Sequence, residues 1–142
     1  MKLLLKKHIL LVDDEVDVRL SLAMLLEAAQ ATVTEASSGT QALALYSTGK
    51  FDCVVTDYNM PGLKGDALAR AVKTANPRQR VVMVSGFPEA VLVSGHPPWF
   101  IDALLPKPCA LKDFLNAMDA PGPDLGLTEA STTGAATVAS TA

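Results

Sequence analysis

Five polar residues stand where apolar runs of this chain give out. Asp13 and Asp14 follow His8-Ile9-Leu10-Leu11-Val12, and Asp57 closes Cys53-Val54-Val55-Thr56. Ser85 closes Val81-Val82-Met83-Val84, and Lys107 comes just after Ala103-Leu104-Leu105 and before Pro108. Short apolar runs rich in β-branched residues read as buried strands. A parallel sheet places the carboxyl ends of its strands on one edge, where open α/β folds bind ligands. Three carboxylates, a hydroxyl and an ammonium are therefore expected to converge on one rim. Carboxylate oxygens suit a hard divalent cation such as Mg²⁺, and Asp14 and Asp57 are placed for direct ligation. A carboxylate can also attack phosphorus and form an acyl phosphate, and Asp57 is the expected acceptor. Phosphoryl transfer asks mainly for positioning and charge neutralisation, which Lys107 and Ser85 would supply at the phosphoryl oxygens. Crowded carboxylates raise one another's pKa, so the bare rim should recruit a cation.

Each residue also has an ordinary role open to it. Asp13-Asp14-Glu15 fits the N-terminus of a helix, where acids are favourable. Ser85 before Gly86 fits a turn, and Lys107 fits an exposed surface. Asp57 is the hardest to explain away, because an acid ending a buried strand needs a partner. His8 begins a strand and His96 lies in the turn Gly95-His96-Pro97-Pro98. Neither is expected to bind metal or relay phosphate, so the phosphoryl donor must be another protein or another domain.

The elements that position the rim alternate strand and helix, which argues for a parallel sheet covered on both faces. Helices are expected at about 16–29, with Val16, Leu20, Ala23, Leu25 and Leu26 at core spacing, and at about 40–47, with Ala42, Leu45 and Tyr46 inward. Others are expected at about 66–75, ended by Asn76-Pro77, and at about 111–118. A short strand is expected at 32–36. Met60-Pro61-Gly62-Leu63-Lys64-Gly65 reads as a turn.

The chain has 142 residues, 49% of them hydrophobic, ample for one core. Its formal net charge of −3 argues against a nucleic-acid surface. The two cysteines, Cys53 and Cys109, lack metal-type spacing and read as reduced thiols. No window reaches the length of a membrane span, and the N-terminal apolar stretch is too short for a signal peptide. From Ala120 onward Pro, Gly, Ala, Ser and Thr dominate, with no Lys or Arg after Lys112. The expected division is a domain over 1–119 and a flexible, low-complexity tail over 120–142, with no output domain after it.

Leu11-Val12-Asp13-Asp14-Glu15, Asp57-Tyr58-Asn59-Met60-Pro61-Gly62 with Gly65, Ser85-Gly86 and Lys107-Pro108 occur in that order over about residues 8–119. Together they resemble the receiver domain of two-component response regulators. The resemblance implies a flavodoxin-like, doubly wound sheet of five parallel strands in the order 2-1-3-4-5. It implies phosphorylation of Asp57 by a histidine kinase or histidine phosphotransfer protein with Mg²⁺, and signalling through altered protein interactions. It makes the backbone carbonyl of Asn59 a third metal ligand, has Asp13 act through a water, and implies a cis Lys107–Pro108 peptide. A cytoplasmic monomer or weak dimer, without nucleic-acid or membrane contact and with only self-phosphorylation and autodephosphorylation as chemistry, completes the expectation.

Two features depart from that family. Leu104 stands three residues before the lysine, where receivers usually carry a switching aromatic ring. The fourth helix is expected to be short, about two turns, because Gly95, Pro97 and Pro98 forbid its continuation. Trp99 and Phe100 are expected to cover the sheet where that helix is missing, the alternative being an exposed docking patch. The short helix and Ser-Gly-Phe-Pro turn look like receivers attached to hybrid kinases, against a stand-alone regulator. Two other functions are weighed. A phosphatase-like hydrolase would use Asp57 in turnover, but Asn59 stands where a general acid is usual. A pseudo-receiver that binds partners unphosphorylated would not need the intact Asp13, Asp14, Asp57 and Lys107.

Overall fold

The computed structural model describes Leu4, residues 6–119 and Thr137–Val138. The elements are β1 (His8–Val12), α1 (Val16–Ala28), β2 (Thr32–Ala36), α2 (Gly39–Thr48), β3 (Cys53–Asp57) and α3 (Gly65–Ala75). They continue with β4 (Arg80–Ser85), β5 (Ala103–Pro106), α4 (Leu111–Asp119) and β6 (Thr137–Val138). All pairings are parallel, and the order is β2-β1-β3-β4-β5-β6. The five strands before α4 thus take the expected flavodoxin-like order 2-1-3-4-5.

Strand residues point alternately to the two faces of a sheet, and the core divides accordingly. Ile9, Leu11, Val55, Val82, Val84 and Leu105 pack with Ala23 and Leu26 of α1 and Phe114 of α4. Leu10, Val12, Val54, Met83 and Leu104 pack with Ala42 of α2 and Leu68, Ala69 and Val72 of α3. Both faces of β3 are buried, which is why its sequence is a continuous apolar run. Ser38 caps α2, its hydroxyl accepting from the Gln41 amide at 3.0 Å. Asn76 closes α3 ahead of Pro77.

Two expectations are corrected. Val16 and Leu20, placed in the core by spacing, are 54% and 47% exposed, and Met24 on the same face is 70% exposed. The apolar residues of α1 run most of the way round the helix, so the inward face falls on Ala23 and Leu26, with Leu22 and Leu25 partly buried. The fourth helix, expected at two turns, is a single 3₁₀ turn over Pro88–Ala90. Beyond it Val93 and His96 exchange backbone bonds in a tight reversal that takes positive φ at Ser94 and Gly95. Within the stretch expected as tail, Thr137–Val138 extend the sheet beside Ala103 and Leu104 of β5. Two β-branched residues satisfy backbone groups that an edge strand leaves open. The rest of the expected tail over 120–142 lies outside the described residues.

Trp99 and Phe100 divide between their two readings. Phe100 is buried beneath the Arg70 guanidinium, whose carbon lies 4.9 Å from the ring centre. Trp99 meets it edge-on yet stays 63% exposed. A hollow of about 470 Å³, lined by Tyr58, Arg70, Val91, Trp99 and Phe100 among others, lies between α3 and this segment.

Candidate functional site

Strand register builds the site before any side chain is considered. Val12 pairs with Thr56, so Asp13 leaves β1 beside Asp57 at the end of β3. Asp57 pairs with Val84, one residue short of Ser85, and Ser85 pairs with Pro106, one residue short of Lys107. The Lys107 amide donates to the Ser85 carbonyl at 2.9 Å, and the Lys107–Pro108 peptide is cis, as the resemblance implied.

The side chains then meet. Carboxylate oxygens of Asp13, Asp14 and Asp57 all lie within 4.8 Å of one another. The Lys107 ammonium stands 3.2 Å from Asp57 and 3.3 Å from Asp13. Three carboxylates against one ammonium leave two negative charges uncompensated when all are ionised, the charge of one divalent cation. The donor set is all oxygen, which fits Mg²⁺ rather than a softer metal. Burial pushes the Asp57 carboxyl above its usual range, Lys107 pulls it back and the charge of Asp13 raises it again. Burial works against the Lys107 ammonium, but Asp57 and Asp13 outweigh it and hold the group above its ordinary pKa.

Asp13 and Asp14 differ in what remains free. Asp13 is buried; its Oδ1 accepts the Glu15 amide at 2.9 Å and its Oδ2 faces Lys107. Asp14 is half-buried and holds no such bond among the described residues. Glu15, the residue before α1, makes no side-chain cap, and the bond that the acidic run gives the helix start is the one from the Glu15 amide to Asp13. Ser85 is buried, and its hydroxyl oxygen accepts the Phe87 amide at 3.0 Å. That bond leaves the hydroxyl proton free to donate. Asn59 lies exposed two residues beyond Asp57.

The loop after β3 is held close. The Gly65 amide donates to the Tyr58 carbonyl at 3.0 Å, and a Cβ on Gly65 would collide with the Asp57 carbonyl oxygen. Gly62 takes a φ of 74°, which a glycine adopts without strain. His8 stays away from the rim, its Nε2 2.7 Å from Thr34 Oγ1 at the opposite end of β1, and His96 lies exposed in the reversal with Val93. Both cysteines are free thiols, and burial pushes each up to about 12.

Two interactions escaped the sequence. Arg19 of α1 donates to the Asp13 carbonyl at 2.8 Å and pairs with Glu35 of β2 at 3.0 Å. An arginine on a mostly apolar helix was the available signal, but its partner lies across a strand pairing. Lys73 and Asp102, both buried, form an ion pair at 2.7 Å beneath the sheet, with Asp102 also accepting the Val81 amide.

Residues 9–119 match the family model of the response regulator receiver domain. Over 108 residues, 75% of this chain, the sequence is 36% identical to the sensor kinase CckA of Brucella abortus (strain 2308), of whose length it spans 11%. Over 113 residues it is 30% identical to the response regulator receiver protein CpdR of the same strain, covering 80% of this chain and 94% of that one. The crystal structure of response regulator protein TrrA from Thermotoga maritima in complex with Mg²⁺-BeF aligns with a TM-score of 0.71 at 25% identity, over 79% of this chain and 98% of that one. The register that gathers Asp13, Asp57 and Lys107 thus sits within a matched stretch that takes in β2 to β5 and all of β1 but His8, and this chain belongs to the response regulator receiver domain family.

Proposed function

We propose that this receiver accepts a phosphoryl group on Asp57 from a phosphohistidine of a histidine kinase or histidine phosphotransfer protein. The observation that carries the reading is the gathering of three carboxylates within 4.8 Å, with Lys107 on two of them. An Asp57 oxygen attacks phosphorus, the P–N bond of the donor breaks, and the leaving imidazole keeps the electron pair and takes a proton from solvent. The product is an acyl phosphate on Asp57. Mg²⁺ bound by Asp14, Asp57 and the Asn59 carbonyl, with Asp13 reaching it through a water, would offset charge on the phosphoryl oxygens. The Lys107 ammonium would bond one phosphoryl oxygen and balance its charge, and the Ser85 hydroxyl would donate its free proton to another.

The donor needs a surface beside the rim. Val16, Leu20 and Met24 form an exposed apolar stripe along α1, starting two residues after Asp14. Beside it lies a hollow of about 600 Å³ lined by Val18, Leu22, Leu25, Val84 and Pro108 among others. An amphipathic helix carrying the phosphohistidine suits such a face. Because the donor draws its phosphoryl group from ATP, the domain works on the cytoplasmic side. Similarity to the sensor kinase CckA favours attachment to a hybrid kinase, and similarity to CpdR favours a stand-alone regulator.

Incubation with acetyl phosphate and Mg²⁺, followed by intact-mass measurement, tests the proposal. One added phosphoryl group is expected on the native chain and none on Asp57→Asn. Labelling of that variant to the same extent would overturn the assignment.

A further inference from the structure

We infer that Arg19, braced by Glu35, is a positioning residue that holds the Asp13–Asp14 peptide in the orientation the cation requires. The inference rests on the reading of the rim as a Mg²⁺ site. Arg19 Nη1 donates to the Asp13 carbonyl at 2.8 Å while Nε donates to Glu35 Oε1 at 3.0 Å. That carbonyl belongs to the peptide from which Asp14 departs, so the guanidinium fixes the plane that aims the Asp14 carboxylate. The Asp13 amide is held from the other side by the Ala36 carbonyl at 3.1 Å, next to Glu35 on β2. One strand thus anchors both ends of the Asp13 backbone, through Ala36 directly and through Glu35 by way of Arg19. The Arg19 side chain is largely buried, and its planar fork reaches the two acceptors at once, which a lysine cannot copy.

Charge alone predicts the opposite of positioning. Removing a cation near three carboxylates should tighten Mg²⁺ binding through space. Removing a support that orients a ligand should weaken it, and losses on the order of 10-fold or more follow when outer supports of a metal ligand are cut.

Calorimetric titration of the full chain with magnesium chloride, without any phosphodonor, separates the two. Arg19→Gln is expected to bind Mg²⁺ about ten-fold more weakly. Arg19→Lys, which keeps the charge, is expected to bind more weakly than the native chain as well. Glu35→Gln should weaken binding in the native background and add nothing in the Arg19→Gln background, since it acts through the same guanidinium. Unchanged or tighter binding in Arg19→Gln overturns the inference and leaves the phosphoacceptor reading standing. A lowered melting temperature with unchanged Mg²⁺ affinity does the same, because the pair would then only stabilise the fold. If Arg19→Gln does not fold, native affinity in Arg19→Lys overturns it. Absence of Mg²⁺ binding by the native chain overturns both readings.

Discussion

At the residue scale, Asp57 carries a conflict between reactivity and stability. Its carboxyl sits above the ordinary value of 3.8, with burial the main cause and Asp13 adding to it against Lys107. The folded chain therefore holds this proton more tightly than the unfolded chain. Ionised Asp57 costs stability, a loss that sets in as pH rises through the ordinary carboxylate range and is complete above the raised folded value. Asp57→Asn is expected to raise the melting temperature of the metal-free protein at neutral pH. The gain should shrink as pH falls through the carboxylate range; a variant less stable than the native chain at pH 7 contradicts this account. The acidic pair divides differently. Asp13 spends its oxygens on the Glu15 amide and on Lys107, while Asp14 holds no such bond among the described residues. Asp14→Ala is expected to cut Mg²⁺ affinity more than Asp13→Ala does, with the Asp13 variant losing about ten-fold as an outer support. Calorimetry showing the reverse order would assign direct ligation to Asp13. Asp13, Asp14, Asp57 and Lys107 were legible because each ends or follows an apolar run. Arg19 was not, because its meaning depends on Glu35, sixteen residues away and brought near by the pairing of β1 with β2.

At the element scale, α1 and the segment after β4 diverge most from what periodicity implies. The sequence Val16-Asp17-Val18-Arg19-Leu20-Ser21-Leu22-Ala23-Met24-Leu25-Leu26 puts apolar residues on nearly every side of a helix. Spacing then cannot choose the buried face; packing chose Ala23 and Leu26 and left Val16, Leu20 and Met24 outside. The β4–β5 segment was read correctly as short on helix, but not as short as one 3₁₀ turn, since Pro88 starts a turn without saying how far it runs. On the proposed function, this segment is the expected route of a phosphorylation signal. Leu104 is fully buried in the α2–α3 face of the core, so no ring swings at that position. Ser85 instead accepts the Phe87 amide, and a hydroxyl drawn toward a phosphoryl group pulls on that bond. Hydrogen exchange with and without beryllofluoride and Mg²⁺ is expected to change between Phe87 and Phe100. Changes confined to α4 would contradict this route.

At the scale of the whole molecule, two cores grip one sheet and leave its carboxyl edge open. The alternation of strand and helix foretold that architecture, and the strand ends foretold the rim. What it could not foretell was how the far end is pinned. Lys73 of α3 reaches under the sheet to Asp102, just before β5, and Asp102 also holds the Val81 amide of β4. Neither residue ends an apolar run or belongs to a motif, so nothing in the sequence paired them. Removing one partner strands a buried charge, and Lys73→Met is expected to lower unfolding free energy by about 3–5 kcal/mol. Urea denaturation measures it; a loss under about 1 kcal/mol would mean that water reaches Asp102 when the lysine is gone.

The rim exists, on this account, to make an acyl phosphate at one carboxylate. Borohydride reduction converts an aspartyl phosphate to homoserine, so it marks the acceptor in the sequence itself. Treatment of the phosphorylated chain, followed by peptide sequencing, should find homoserine at position 57 and aspartate still at positions 13 and 14. Homoserine at 13 or 14, or aspartate retained at 57 in a chain that carries phosphoryl label, would contradict the account.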